Sequence, residues 1–346
     1  STIDSRYNNI LSMSGDDYNQ QVLVVAENAK RKGVIDAIND LAESVLREEK
    51  SGALYVAEIT LLSSGSLITV GVVAQNKNIA NGVWGPAQHK KVVSWVKSFE
   101  SKNLPIITFI DTPGADASSD ANKKNQAHSI SELIATMAGL SVPTVGIIWG
   151  VGYSGGAIPL ATTNLLLSVT DGVFNTIQPK GLASIARKQQ LDWQTCARIV
   201  GISAIELHHD ELVDGIIDYS PLDTKADISQ LKEAICHSIS LIEKRATDLV
   251  ASEPPLMSYY QQRSLDHAIS SDNTALYQYP SVFGLGFKVA RSQKLRARLS
   301  LGGDQKEKES AQLDLPMPSK NNQVQERSKR RFEQWYENSD RLIYED

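Results

Sequence analysis

The chain has 346 residues, of which 41% are hydrophobic and 22% charged, and its formal net charge is −5. This composition is typical of a globular protein with a sizeable core, and the negative charge argues against a nucleic-acid partner. Two cysteines and six scattered histidines exclude a disulfide framework and show no spacing typical of a zinc site. No apolar run reaches the length of about 18 residues that a membrane helix needs, so we expect a cytoplasmic protein without a metal ion.

The first part of the chain predicts a helical arm followed by a β-hairpin. Apolar residues recur at helical spacing over residues 17–49, and we assign the arm to residues 1–50. Two runs rich in β-forming residues, 53–62 and 66–75, flank a Ser-Ser-Gly sequence. Such a short polar sequence between two apolar runs is typical of a hairpin turn.

Helices and strands alternate along the middle of the chain. The pattern predicts a helix over 86–99, a buried strand over 105–111, a helix that carries Ile130 to Leu140 on one face, a strand over 142–150 and another within 161–169. Because tight glycine turns follow the strands, the alternation predicts an α/β layer architecture. Residues 181–218 are then mostly helical with a strand-like end, and 226–252 form one long helix.

The last part of the chain, residues 253–346, is predicted to be a helical extension. It contains a polar, proline-containing linker near 302–322, followed by a basic and aromatic block over 323–337. We interpret this block as a solvated terminal helix that packs its aromatic side chains on the core. A helix that binds a partner or an anion is the alternative.

The glycine-rich segment WGVGYSGGA, residues 149–157, fits three functional motifs. It matches the dinucleotide-binding fingerprint, the nucleophile elbow of serine hydrolases centred on Ser154, and an oxyanion hole formed by the backbone N–H groups of Gly155 and Gly156. A turn that needs glycine only for packing is the fourth interpretation. The pattern by itself does not decide among them.

A second turn favours the oxyanion interpretation. Residues 111–115, Asp-Thr-Pro-Gly-Ala, also end a buried strand and precede a helix. The two turns therefore occupy equivalent places in successive strand–helix units, where backbone N–H groups could converge on one developing anion. A dehydrogenase or an α/β-hydrolase has no particular need for the second turn.

Five motifs, in this order and spacing, resemble the carboxyltransferase α subunit of bacterial acetyl-CoA carboxylase. They are IITFIDTPGA at 106–115, Gln126 in the following helix, the Val-Pro opening of the strand at 142, GYSGGA at 152–157 and QPKGLASI at 178–185. IDTPGA followed by SGGA is the specific part of the match.

The resemblance implies a crotonase-like ββα superhelix over residues 51–252, with the N-terminal arm and the C-terminal extension added to it. It also implies a transferase subunit that works only with a carboxyltransferase β-type subunit in a hetero- or homo-oligomer. The implied reaction moves a carboxyl group from carboxybiotin, held on a biotin carboxyl carrier protein, to a short acyl-CoA. Conversion of acetyl-CoA to malonyl-CoA, a step of fatty acid biosynthesis, is the reaction of the family.

The site residues follow from the same resemblance. Backbone donors to the oxyanion are Gly155, Gly156, Gly114 and Ala115. Substrate contacts are assigned to Pro113, Tyr153, Ser154, Gln126 and Lys180. Such a site acts through electrostatic preorganisation and proximity rather than through side-chain acid–base catalysis.

The chain departs from the family pattern at two places near this site. Lys123 and Lys124 stand in a stretch that is acidic and contains arginine in the family, and Lys180 stands where the family has glutamate. Two further hypotheses therefore stay open. One is a biotin-independent acyl-CoA decarboxylase or hydratase of the crotonase superfamily, and the other is a non-catalytic relative with a role in assembly.

Overall fold

A mixed β-sheet with helices on both faces forms the centre of the computed structural model, which describes residues 3–114, 120–175 and 192–252 together with Phe287 and Arg291. The strands are β1 (Ser44–Ser51), β2 (Leu54–Ser63), β3 (Ser66–Gln75), β4 (Ile106–Thr112), β5 (Thr144–Tyr153), β6 (Leu165–Val169), β7 (Val173–Asn175) and β8 (Gly215–Ile217).

Helices precede the sheet, alternate with its strands and follow it. They are α1 (Ile3–Leu11), α2 (Gly15–Tyr18), α3 (Val24–Ala26), α4 (Val34–Leu41), α5 (Pro86–Ser101), α6 (Asp120–Gly139), α7 (Ser154–Ala161), α8 (Trp193–Val200), α9 (Ala204–His209) and α10 (Ile228–Ser252). A π-helical segment, Asn19–Leu23, joins α2 to α3, and a short 3₁₀ turn covers Ala80–Gly82.

The strand order among the described residues is β1-β2-β3-β4-β5-β6-β8, with β7 added to the end of β5. The first three strands form an antiparallel meander, while each consecutive pair in the order β3-β4-β5-β6-β8 is parallel. Because parallel strands need crossover helices, α5, α6 and α7 fall between successive strands. The predicted α/β architecture and the predicted hairpin are confirmed.

The predicted arm helix is interrupted between Ala26 and Val34 and is wrong at its C-terminal end. The sequence pattern predicts a helix through residue 49, but residues 44–49 belong to strand β1 and pair antiparallel with β2. Leu46, Arg47 and the two glutamates favour a helix, but pairing with a long neighbouring strand overrides that local preference. Side-chain contacts add to the pairing, since the Arg47 guanidinium lies 4.6 Å from the centre of the Trp95 ring.

The core lies on both faces of the sheet. On one face, α5, α6 and α7 pack in a cluster that includes Phe99, Leu133 and Ile158. On the other face, α4 and α10 pack around Trp149 in a second cluster. In a third cluster the three N-terminal helices, α1, α2 and α3, pack against α8 and the end of β5. The N-terminal helices therefore cover the carboxyl end of that strand.

Strand β5 is longer than predicted. The sequence pattern ends it at residue 150 and assigns residues 152–156 to a turn, but the strand runs through Tyr153. The reason is β7, whose residues Val173–Asn175 pair with Val151–Tyr153 and hold them extended. The other helices and strands that fall on described residues, among them the long helix over 226–252, are found within a few residues of their predicted bounds.

The structure describes two residues of the C-terminal extension, and one of them, Arg291, hydrogen-bonds to the end of α6. Arg291 is fully buried and donates hydrogen bonds of 2.8 to 3.1 Å to the carbonyl oxygens of Met137, Ala138, Leu140 and Val142. It also donates to the side-chain oxygen of Asn164 at 2.7 Å. The guanidinium therefore satisfies carbonyl groups that the end of α6 leaves open. The predicted linker and the basic and aromatic block lie outside the described residues.

Candidate functional site

The two turns predicted from the sequence lie side by side. Strands β4 and β5 are parallel neighbours, and Thr112 at the end of one pairs with Gly152 near the end of the other. Ligand sites of α/β proteins form where the carboxyl ends of parallel strands meet. The prediction that the turns occupy equivalent places in successive strand–helix units is confirmed.

Helix α7 begins directly after β5 and presents its first N–H groups at this edge. Ser154, Gly155 and Gly156 form its first turn, whose N–H groups have no acceptor four residues back in the helix. Ser154 adopts a φ of 58°, which is uncommon for a residue with a side chain. Ser154 and Gly155 are half-buried, so the N-terminal end of α7 remains within reach of a ligand.

The turn after β4 is held by its own threonine. The Thr112 hydroxyl accepts from the Gly114 N–H at 3.3 Å and donates to the Gly114 carbonyl at 2.9 Å. Gly114 has a φ of 142°, a conformation open to glycine. Pro113 is half-buried beside it. Since Thr112 already engages the Gly114 N–H, this turn would need a small rearrangement to offer that group to an anion. Ala115 lies outside the described residues.

A bulge in β5 separates the turns from the regular sheet. Ile110 pairs with Ile148 and Thr112 with Gly152, so three residues of β5 face one residue of β4. That residue is Asp111, whose carboxylate accepts the Val151 N–H at 3.2 Å and replaces the missing ladder bond. Such bulges re-aim the backbone that follows, here the start of α7.

Asp111 is buried, and the burial raises the pKa of its carboxyl group to about 6. The ammonium group of Lys77, 3.9 Å from the carboxylate, and the Val151 N–H oppose that increase in pKa. The charge of Arg31 opposes it as well. Asp111 thus holds the bulge with a carboxyl group whose pKa lies well above its ordinary value.

Gln75 joins the two turns, and no sequence motif indicates it. The side chain is 1% exposed and lies at the end of β3. Its Oε1 accepts the Asp111 N–H at 2.9 Å, and its Nε2 donates to the Gly156 carbonyl at 2.8 Å. The only sequence signal is a polar residue at the end of an apolar strand, which is common in turns.

Gln126 and Tyr153, both predicted to contact substrate, have other partners in the structure. The Gln126 amide donates to the Trp84 carbonyl at 2.9 Å and ties α6 to the loop before α5. Beside it, the His89 ring contacts the Ser129 hydroxyl at 2.9 Å, and burial lowers the pKa of His89 to about 4. Tyr153 is 1% exposed and packs in the cluster with the N-terminal helices. A substrate contact by either residue stays a prediction.

Lys180 lies outside the described residues, and of Lys123 only the backbone, within α6, is described.

Within the described ranges, no group of three or more histidine, cysteine or acidic residues is placed to hold a metal ion. Over the same ranges, no helix combines the length and apolar character that crossing a membrane requires.

The N-terminal segment before α4 is anchored beside the same edge of the sheet. Arg31 donates to the Trp149 carbonyl at 2.6 Å and forms an ion pair with Asp171 at 2.8 Å. The Trp149 indole in turn donates to the Lys32 carbonyl at 2.8 Å. These bonds fix the strand that leads into the bulge on the face opposite α7.

A family model described as acetyl co-enzyme A carboxylase carboxyltransferase-like matches residues 19–254, which include both turns. The chain belongs to this family. The match also covers all eight described strands, so the family assignment rests on the whole sheet rather than on the glycine motif alone.

Curated relatives in the family include carboxyl transferase α subunits. That of Staphylococcus haemolyticus is 29% identical over 54% of this chain and 55% of its own length. That of Carboxydothermus hydrogenoformans is 29% identical over 57% of this chain and 64% of its own. The joined β/α subunits of Clostridium tetani are 28% identical over 63% of this chain and 40% of their own length. The chain thus spans about half the length of these relatives.

The fold is also that of a solved transcarboxylase. The structure of transcarboxylase 12S with methylmalonyl-coenzyme A bound superposes with a TM-score of 0.52 and 15% identity, over 62% of this chain and 43% of that one. At this identity the likeness shows the fold. The prediction of a crotonase-like α/β fold is confirmed.

Proposed function

We propose that the chain is an α-type subunit of a biotin-dependent carboxyltransferase and transfers a carboxyl group to a short acyl-CoA such as acetyl-CoA. The observation that carries the proposal is the adjacency of the two turns at the carboxyl ends of β4 and β5. Membership of the carboxyltransferase family and the names of its α-subunit relatives support it.

The start of α7 suits a carbonyl oxygen that gains negative charge. The N–H groups of Gly155 and Gly156 lack helical acceptors, and the positive end of the helix dipole adds to their effect. Carboxybiotin, carried on a biotin carboxyl carrier protein, would supply the carboxyl group. These two glycines would hold its ureido oxygen by backbone donation.

The turn after β4 would complete the site from the other side. The Gly114 N–H would leave the Thr112 hydroxyl for the anion, while Asp111 and Gln75 tie the turn to β5 and α7. In this arrangement the chain orients the reactants and stabilises negative charge, while no side chain needs to exchange a proton with the substrate. We propose that a β-type chain binds the CoA thioester against this edge, in a hetero-oligomer.

Replacing Gly155 by alanine is expected to lower carboxyl transfer about 100-fold without unfolding the protein. The added Cβ would lie 3.4 Å from Ile130 Cδ1, which the core can accept, but the methyl group crowds the N–H groups at the mouth of α7. The measurement is biotin-dependent decarboxylation of malonyl-CoA by the full chain together with a β-type chain.

Gly139→Ala is the matched control, because this glycine also lies in a helix and its added Cβ would meet nothing within 4 Å. We expect it to keep at least half of the wild-type rate. Full activity in the Gly155→Ala variant, with stability unchanged, would show that the start of α7 does not contact the reacting groups.

A serine hydrolase is the second candidate, and the backbone of Ser154 favours it. A residue with a φ of 58° between a strand and a helix is the geometry of a nucleophile elbow. Against it, no hydrogen bond joins Ser154 to a histidine within the described ranges, and the His89 ring is engaged by Ser129.

Ser154→Ala separates the two functions. The carboxyltransferase proposal expects this variant to retain at least half of the wild-type transfer rate, because the backbone N–H groups of α7 are unchanged. A hydrolase would lose its nucleophile and more than 99% of its activity, by about the factor known for triad serines. Release of free CoA from acetyl-CoA by the chain alone, measured with a thiol reagent, is the assay that detects hydrolysis.

A further inference from the structure

Gln75 is the residue that links the two turns of the candidate site. We propose that it is a positioning residue, whose side-chain amide sets the distance between the turn after β4 and the first turn of α7. Its effect on catalysis rests on the proposed function. Its effect on the geometry of the turns does not.

The sheet itself does not hold β3 to the end of β4. Backbone pairing between the two strands ends where Ala74 faces Phe109. Beyond that point the Gln75 side chain takes over, because its Oε1 accepts the N–H of Asp111 at 2.9 Å. The side chain thus extends the ladder to the residue that precedes the turn.

The other end of the same amide reaches α7. Its Nε2 donates to the Gly156 carbonyl at 2.8 Å, in the first turn of the helix. The bulge interrupts the regular backbone pairing between β4 and β5 at Asp111. The Gln75 amide therefore links the end of β4 to α7 at a position where the two strands do not pair regularly. A displacement of either turn must therefore stretch one of these two bonds or move the other turn.

The chemistry of the contacts requires glutamine. The Asp111 N–H needs an acceptor and the Gly156 carbonyl needs a donor, so the amide fits in one orientation only. An ionised glutamate would accept the first bond but could not donate the second. A methionine has nearly the same length and shape and forms neither bond. Because the site is buried, an unmade bond is not replaced readily by water.

A change in this spacing affects catalysis more than binding. Donors that stabilise one developing charge must be aimed within a fraction of an ångström, and a displacement of about 1 Å lowers a rate roughly 100-fold. In the proposed function the β-type chain binds the CoA part of the substrate, so that its binding does not depend on the spacing of the two turns. A positioning role therefore lowers kcat and leaves KM for the CoA thioester nearly unchanged.

Gln88 provides the matched control. It is also a glutamine whose Oε1 accepts a backbone N–H, that of Gly85 at 2.8 Å, but it caps α5 and contacts neither turn. In the full chain with a β-type chain, we expect Gln75→Met to lower kcat for malonyl-CoA decarboxylation by 10- to 100-fold with KM within threefold. Gln88→Met should leave both constants within threefold.

Amide hydrogen exchange of the full chain alone tests the geometry without any activity. In Gln75→Met, peptides covering 106–114 and 150–161 should both exchange at least fivefold faster, while Gln88→Met should leave both at the wild-type rate. If Gln75→Met does not fold, Gln75→Glu at alkaline pH, where its carboxyl group is ionised, keeps the acceptor for Asp111 and tests the bond to Gly156 alone.

The outcomes separate this proposal from the proposed function. Unchanged exchange in the 150–161 peptide, or an active complex whose kcat stays within threefold, overturns the positioning role. If the wild-type complex does not transfer carboxyl groups, the proposed function fails. The exchange of the two peptides then still decides whether Gln75 couples the turns.

Discussion

Gly82→Ala is expected to lower the free energy of unfolding by about 3 kcal/mol or more, since it adds a steric clash to an unfavourable backbone conformation. Gly82 has a φ of +79°, and a Cβ at this position would lie 2.2 Å from the carbonyl oxygen of Asp111. Neither group can move freely, because both belong to the backbone. The residue ends the 3₁₀ turn that packs against β4.

Gly65→Ala measures the cost of the backbone angle without a clash, so that the difference between the two variants gives the cost of the clash at Gly82. Gly65 has the same φ of +79°, but its added Cβ would meet nothing within 4 Å. This variant should cost about 1 to 2 kcal/mol, which is the penalty of placing an L-residue in the left-handed region. Urea unfolding of both variants gives the comparison. Equal losses in the two variants would show that the loop around Gly82 moves away from Asp111 without cost.

As the pH rises from about 4 to about 6, the ionisation of Asp111 is expected to lower the free energy of unfolding of the protein. Burial is the main cause of its raised pKa of about 6, against an ordinary value of 3.8. Between pH 4 and pH 6 the folded protein binds the proton of Asp111 more tightly than the unfolded chain does. The resulting contribution to the free energy of unfolding is complete below pH 4 and is lost as the pH rises through 6. The difference corresponds to about 2 to 3 kcal/mol.

Asp111→Asn should remove this part of the pH dependence, because the amide is neutral throughout and its oxygen can still accept the Val151 N–H. The measurement is the free energy of unfolding from pH 4 to pH 7 for the wild type and for this variant. Asp36→Asn, which changes an exposed carboxyl group on α4, serves as the control. A slope that is the same in all three proteins would contradict the role of Asp111.

The parts of the site that could be predicted from the sequence are those that local chemistry determines. Glycine at 155 and 156 and the Asp-Thr-Pro-Gly turn each follow an apolar strand, and parallel strands bring such turns to one edge. The hairpin was predictable for the same reason, because alternation and a polar turn are encoded within a short segment.

The parts that could not be predicted depend on residues far apart in the chain. Gln75 acquires its role only because the bulge in β5 aims α7 towards it, 81 positions along the sequence. Residues 44–51 form a strand because β2 is available to pair with them, against their own helical preference. Tyr153 looks like a site residue by position, yet the N-terminal helices bury it.

The bonds of Arg291 have a consequence for the order in which the chain can fold during synthesis. The carbonyl groups that it satisfies belong to residues about 150 positions earlier. The sheet and α10 are complete at Ser252, but the guanidinium leaves the ribosome about 40 residues later, a delay of about 2 to 8 s at usual rates of elongation. During that interval the carbonyl groups at the end of α6 have only water as a partner in place of the guanidinium. The nascent protein therefore reaches its final packing only when its C-terminal extension arrives.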